Sequence, residues 1–169
     1  VWDVPVGMEA AQYRHDVPVS SAAFSPDGTK VVTAASDHTA RLWDVATNKE
    51  MARFIGHEGS VEWAVFNPTG TRIVTASRDK TAVVWDVFTH RVVRKLVGHD
   101  ATVNSVAFNH DGTMVVTASG DLDTSDYTAR VWDLATGREV AKLVGHEDRV
   151  YSAEFSPDGT KIMTTSWDG

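Results

Sequence analysis

Cysteine is absent from the 169-residue chain, which excludes disulfides, thiolate metal sites and cysteine nucleophiles together. That fits a reducing compartment, and a cytoplasmic location is expected. No uninterrupted apolar run approaches the roughly 20 residues of a membrane-spanning helix. The opening Val1-Trp2-Asp3 is neither basic nor followed by the apolar core of a secretion signal. Cations are scarce as well: 16 Lys and Arg stand against 23 Asp and Glu, a formal charge of -7. Proteins that grip phosphate backbones gather Lys and Arg on one face, so neither nucleic acid nor membrane is the expected partner. A starting methionine is missing, as in a processed, trimmed or engineered piece of something longer. What is present, 42% hydrophobic and 23% charged residues, is the balance of a soluble folded chain.

Self-similarity organises the rest. Trp-Asp pairs begin at positions 2, 43, 85 and 132, spaced by 41, 42 and 47 residues, and the last interval carries an insertion, Gly120-Asp121-Leu122-Asp123-Thr124-Ser125. Four apolar segments end alike in Phe24, Phe66, Phe108 and Phe155. Each runs into a turn: Ser25-Pro26-Asp27-Gly28, Asn67-Pro68-Thr69-Gly70, Asn109-His110-Asp111-Gly112 and Ser156-Pro157-Asp158-Gly159. Asp or Asn sets up such a turn through its side chain, Pro fixes φ, and Gly takes the left-handed position that closes a hairpin. β-Branched runs such as Val31-Val32-Thr33 follow, then the Trp-Asp segment, a polar turn such as Ala135-Thr136-Gly137-Arg138, and a last segment ending in Gly145-His146. Short strands, regular turns and no helical periodicity predict an all-β protein.

The order Gly-His, Phe-Ser-Pro-Asp-Gly, Thr-Ala-Ser, Asp-x-Thr-Ala-Arg-Val-Trp-Asp is similar to the WD-repeat family over nearly the whole chain. A period of 40 to 45 residues belongs to propeller blades. The resemblance implies a β-propeller of four-stranded antiparallel blades packed face to face around a channel. One propeller region is expected over 1–169. It divides into the end of a split blade (1–14), three blades (15–56, 57–98 and 99–145, the last with the insertion) and the start of a split blade (146–169).

His57, Ser77, Asp79 and Trp85 combine the residue types of a catalytic triad. The resemblance implies a structural role instead: a hydrogen-bonded chain inside one blade, which buried polar groups require. The third repeat offers His99, Ser119 and Trp132, with Asp121 or Asp126 as the acid. In the first, His15, Asp37 and Trp43 are present, but Ala35 stands where Ser77 stands and Arg14 replaces the glycine, so an incomplete network and the loosest blade are expected there. The fourth set, His146, Ser166 and Asp168, lacks a tryptophan of its own, and Trp2 would complete it. Two chains joined head to tail, each finishing the other's split blade, would make an eight-bladed ring as a homodimer and cover exposed strand edges.

With that framework assigned to structure, binding falls to rim positions that differ between repeats. By resemblance these are Pro18 and Ser20, Ser60 and Glu62, Thr102 and Asn104, Arg149 and Tyr151, then Ser36, Arg78 and Trp167, with Gly120 or Ser125 ambiguous. Arg78, Arg149, Tyr151 and Trp167 have the residue types of binding hot spots, and Glu62 and Asn104 join them as candidates. Trp63 replaces a serine on an inner strand and is expected to fill a gap between blades. Asp121 to Asp126 begins as calcium loops do but has Asp126 where glycine belongs and Trp132 where glutamate belongs. A solvated extension of the rim is expected, with no metal and no cofactor. His38, His90 and His110 stand alone at turns and should be exposed. The expected function is a non-catalytic scaffold for a protein or peptide; the alternative is an engineered or fragmentary self-assembling propeller with no specific ligand.

Overall fold

The computed structural model describes residues 1–3, 8–9 and 11–169, with the side chains of Trp2, Asp3 and Met8 outside that description. It is all-β among the described residues. Sixteen strands run in chain order: β1 (Trp2–Asp3), β2 (Met8–Glu9), β3 (Val19–Phe24), β4 (Lys30–Ala35), β5 (Thr39–Asp44), β6 (Glu50–Ile55), β7 (Val61–Phe66), β8 (Arg72–Ser77), β9 (Thr81–Asp86), β10 (Val92–Val97), β11 (Val103–Phe108), β12 (Met114–Ser119), β13 (Ala129–Asp133), β14 (Arg138–Leu143), β15 (Val150–Phe155) and β16 (Ile162–Ser166). Strands β3–β6, β7–β10 and β11–β14 form three antiparallel four-stranded meanders, while β1–β2 and β15–β16 form two-stranded sheets. Among the described residues no helix is long and apolar enough to cross a membrane.

The turns form as their residues dictate. Gly28, Gly70, Gly112 and Gly159 all sit near φ +70°, the left-handed position that a side chain resists. Asp27 accepts hydrogen bonds from Ser25 Oγ and from the Thr29 amide and hydroxyl; these hold its carboxyl down to about 2. A hairpin tip is thereby stapled by its own side chain.

Burial follows the seams between sheets. One apolar cluster joins Leu42 and Phe54 of the first blade to Val61, Ile73 and Trp85 of the second. The next joins Val74, Val84 and Leu96 to Val103, Val115 and Trp132. A third joins Val116, Ala118 and Val131 to Val150 and Ala153. Alternate residues of a middle strand thus serve opposite seams, as a two-residue side-chain period demands, and both faces must be apolar or small. The Phe54 and Trp85 rings lie 5.5 Å apart, so each tryptophan meets the fourth strand of the preceding blade. Trp43 has no such blade before it; the Tyr13 ring lies 5.4 Å away instead.

Register identifies the N-terminal strands. Trp2 pairs with Glu9 as Trp43 pairs with Glu50 and Trp132 with Glu139. β1 and β2 therefore have the register of a third and a fourth strand, while β15 and β16 have that of a first and a second. At the open half, Met163 is 61% exposed, whereas Val74, at the matching place in β8, is fully buried.

Trp63 departs from expectation. It is 40% exposed and lines a cleft along the inner strands with Phe108 and Phe155, rather than filling a gap between blades. The seam uses the small residue differently: the Ala64 amide donates to Ser21 Oγ at 3.0 Å and the Ala153 amide to Ser105 Oγ at 3.2 Å. Tryptophan has no side-chain acceptor, so the joint between the second and third blades lacks this bond.

Candidate functional site

Inside the second blade, His57 Nδ1 donates to Asp79 Oδ2 at 2.8 Å, His57 Nε2 meets Thr75 Oγ1 at 2.7 Å, and Trp85 Nε1 donates to Thr75 Oγ1 at 2.9 Å. The central hydroxyl is thus Thr75, a correction to the expected Ser77. Ser77 lies two residues on along the same face of β8, where it donates to the Gly59 carbonyl and accepts from the Asp79 amide. The third blade repeats the arrangement with His99, Thr117 and Trp132; Ser119 bonds instead to the carbonyls of Ala101 and Thr102. Its acid is Asp126, 2.9 Å from His99 Nδ1. Asp121 is occupied elsewhere, accepting from the Thr102 and Asp123 amides and from the Thr102 and Thr124 hydroxyls.

Hydrogen-bond direction fixes the chemistry of the third blade. An indole N–H can only donate, so Thr117 Oγ1 accepts from Trp132 and has its own proton to give, to His99 Nε2 at 2.7 Å rather than to the Arg130 carbonyl, which stands 3.4 Å away. The other ring nitrogen then carries the proton donated to Asp126, and a neutral imidazole satisfies the whole chain. Burial lowers the His99 pKa below its ordinary 6.5, against the raising effect of Asp126. For Asp126 itself burial works upward, but hydrogen bonds from His99, Thr128 and the Asp100 amide outweigh it and hold the carboxyl well below the usual range. Asp79 is held low by the corresponding groups. These side chains are consumed by one another, which leaves no free base beside a free nucleophile.

The first blade breaks at a different link from the one expected. Thr33 Oγ1 accepts from Trp43 Nε1 and meets His15 Nε2, each at 2.9 Å, so Ala35 costs no central hydroxyl. His15 Nδ1 is instead buried without a partner among the described residues, because Asp37 turns to Arg41. In the split blade, His146 lies 2.8 Å from both Asp168 Oδ2 and Thr164 Oγ1, again with threonine in the central place. Ser166 donates to the Asp148 carbonyl. No indole reaches Thr164 among the described residues, and the Trp2 side chain, expected to supply one, lies outside them.

The rim candidates gather on one end of the inner strands. Glu62, Asn104 and Tyr151 all occupy register shifts, between Val61 and Trp63, Val103 and Ser105, and Val150 and Ser152. A bulged residue is re-aimed out of the sheet, which the local sequence does not announce. Arg149 lies 4.9 Å from the Trp167 ring and 5.7 Å from that of Tyr151, and the two aromatic rings are 5.6 Å apart. Arg78 Nε donates to Glu62 Oε1 at 2.7 Å. Asn104 Nδ2 bridges the Gly120 and Val150 carbonyls. Glu62, Arg78, Asn104, Arg149 and Tyr151 line a single cleft of about 410 Å³, with Trp167 behind Arg149. Leu122, within the insertion expected to extend the rim but not singled out as a binding candidate, joins that cleft and is 81% exposed. No group of three or more His, Asp or Glu side chains is arranged to hold a metal among the described residues. His38, His90 and His110 are exposed.

A family model described as WD domain, G-beta repeat matches residues 9–44, 48–86, 90–133 and 137–169. Among curated proteins, the chain is 35% identical over 60 residues to the coronin-like protein crn1 of Schizosaccharomyces pombe, covering 36% of this chain and 10% of that one. It is 40% identical over 55 residues to the WD40 repeat protein poxJ of Penicillium oxalicum, with shares of 32% and 16%. To an mRNA export factor of Danio rerio it is 41% identical over 51 residues, with shares of 30% and 14%. The aligned stretches thus span a small part of each relative's length.

Replacing Thr75 with valine should cost about 1–3 kcal/mol by stranding two buried polar groups, and should move the Trp85 indole N–H resonance. Ser77→Ala should leave that resonance in place; nuclear magnetic resonance of the two variants separates Thr75 from Ser77. The pH dependence follows from the lowered pKa values. His99 binds its proton less readily folded than unfolded, so its contribution is complete above 6.5 and fades as pH falls below that value. Asp79 and Asp126 add theirs above the ordinary 3.8 and lose it only in stronger acid. The melting temperature should therefore decline as the pH falls below about 6.5, and again below about pH 4. A profile that stays flat from neutrality until the carboxylates titrate would contradict the neutral assignment of His99.

Proposed function

Since the chain belongs to the WD domain, G-beta repeat family, we propose that it is a non-catalytic interaction scaffold that takes a protein or peptide on its rim. The observation that carries this reading is the contrast between constant framework and variable rim. The Trp-Thr-His chain recurs from blade to blade, while Ser20, Glu62, Asn104 and Tyr151 occupy one structural position with four different side chains. Arg149, Tyr151 and Trp167 cluster at the cleft with Arg78, Glu62 and Asn104, and aromatic and arginine side chains supply most of the energy at protein interfaces. The crn1 and mRNA export factor likenesses are compatible with such a role. The lack of cysteine fits a cytoplasmic setting.

A second reading concerns assembly. β1–β2 has the register of the outer half of a blade and β15–β16 that of the inner half, and Thr164 has room for one more donor. A second copy whose Trp2 strand pairs with β16 would supply both, and two chains would close an eight-bladed ring. The alternative, a self-assembling propeller without a ligand, shares this closure and differs only at the rim.

A random peptide library passed over the immobilised chain should yield retained peptides. Tyr151→Ala and Trp167→Ala should each lower their retention by about thirtyfold or more, the hot-spot range. Lys161→Ala, at the opposite end of the strands, should leave it unchanged. Loss-free binding in both aromatic variants would move the site off this rim. Sedimentation should give the mass of two chains; a well-folded single chain would remove the shared-blade reading.

A further inference from the structure

We propose that Arg149 is the anion-binding residue of the rim cleft, taking a carboxylate or phosphate carried by the bound peptide; this rests on the peptide-binding reading above. Two arginines reach the cleft, and they differ in what they already hold. Arg78 is spent on Glu62 at 2.7 Å. The Arg149 guanidinium donates no hydrogen bond among the described residues: its Nε is buried without a partner, and the carboxylate of Asp148 stands off at 3.7 Å. Yet the side chain is only 22% exposed. A guanidinium carries five N–H donors in a fixed fork; the Nε–H of Arg149 is withdrawn from water without a partner, which is unfavourable, and the remaining donors hold no protein acceptor among the described residues. An anionic group entering the cleft relieves that, with the two-pronged geometry that arginine offers to carboxylate and phosphate alike.

The fork is set before any ligand arrives. The Trp167 and Tyr151 rings lie against it, a cation–aromatic arrangement that tolerates partial burial. Gly120, at φ +154°, lets the Arg149 backbone come close: a Cβ there would stand 2.7 Å from Arg149 Cα. Such preorganisation removes ordering entropy from the cost of binding.

The acids of the cleft do not reverse its preference. Asp121 accepts from Asp123 and Thr124 of its own loop and from the Thr102 amide and hydroxyl ahead of β11, and Glu62 is paired. Asp123 is exposed at the loop tip, where solvent screens it. The exposed Leu122 lines the same cleft, so the fitting ligand carries an apolar side chain as well as an acidic one.

The test is a random peptide array, one arm built from the ordinary residues and one including phosphoserine, probed with the full chain and with Arg149→Gln and Arg149→Lys. Peptides retained by the parent chain should be enriched in Asp and Glu, or in phosphoserine, at one position. Whichever arm is preferred assigns carboxylate or phosphate. The enrichment should vanish in Arg149→Gln with about a tenfold loss of retention, while Arg149→Lys should keep the preference with weaker retention. Retained peptides without acidic enrichment, or with an enrichment that survives Arg149→Gln at an unchanged melting temperature, overturn the anion assignment and leave the scaffold reading standing. An array that retains nothing on the parent chain removes both.

Discussion

One threonine hydroxyl in the middle of each blade carries the arrangement. A tryptophan placed on a seam brings an indole N–H into a region without water, and that donor needs an acceptor. Thr75 and Thr117 provide it and pass their own bonds to a histidine from the preceding loop, which in turn holds an aspartate from the following hairpin. Loop, second strand, hairpin and third strand are thereby tied at a single point. The tryptophan is free to spend its large face on the neighbouring blade, and the apolar seams are built around it. The first blade shows the partial case: Thr33 still receives the indole, but the aspartate has gone to Arg41 and one histidine nitrogen is left without a partner.

The repeat period, the turn residues and the Trp-Asp pairs make the blade architecture readable from the chain alone, whereas the rim positions come from the family resemblance carried onto those repeats. The central hydroxyl is harder to read, for a physical reason. Thr75 and Ser77 are two residues apart on one strand and face the same way, so composition and spacing serve them equally; only the depth of the tryptophan selects the first. The choice between Asp121 and Asp126 is of the same kind, since an insertion offers two acids and folding decides which one meets His99. Trp63 is misread because a large aromatic residue among small ones suggests a filled void, whereas the inner strands border an open cleft.

Framework and rim answer to different constraints. The bonded chains must be fully satisfied, which restricts their residue types, while a bulge at the start of each inner strand lifts one side chain out of the ladder and frees it from packing. Substitution there changes what the surface offers without disturbing the seams. The inserted loop adds to the same surface, and Asp121 ties it down by accepting from the Asp123 amide within it and from the Thr102 amide ahead of β11.

Each seam joins unlike faces, a fourth strand and middle strands on one side and a tryptophan face on the other. Cohesion therefore passes only between immediate neighbours, as along a row of stacked units. The second blade is gripped from both sides, whereas the β15–β16 pair is gripped from one. Removing an outer unit sacrifices one contact surface and removing the central one sacrifices two. Thermal opening accordingly starts at the flanks and travels inward, with the middle of the arc as the last element to melt.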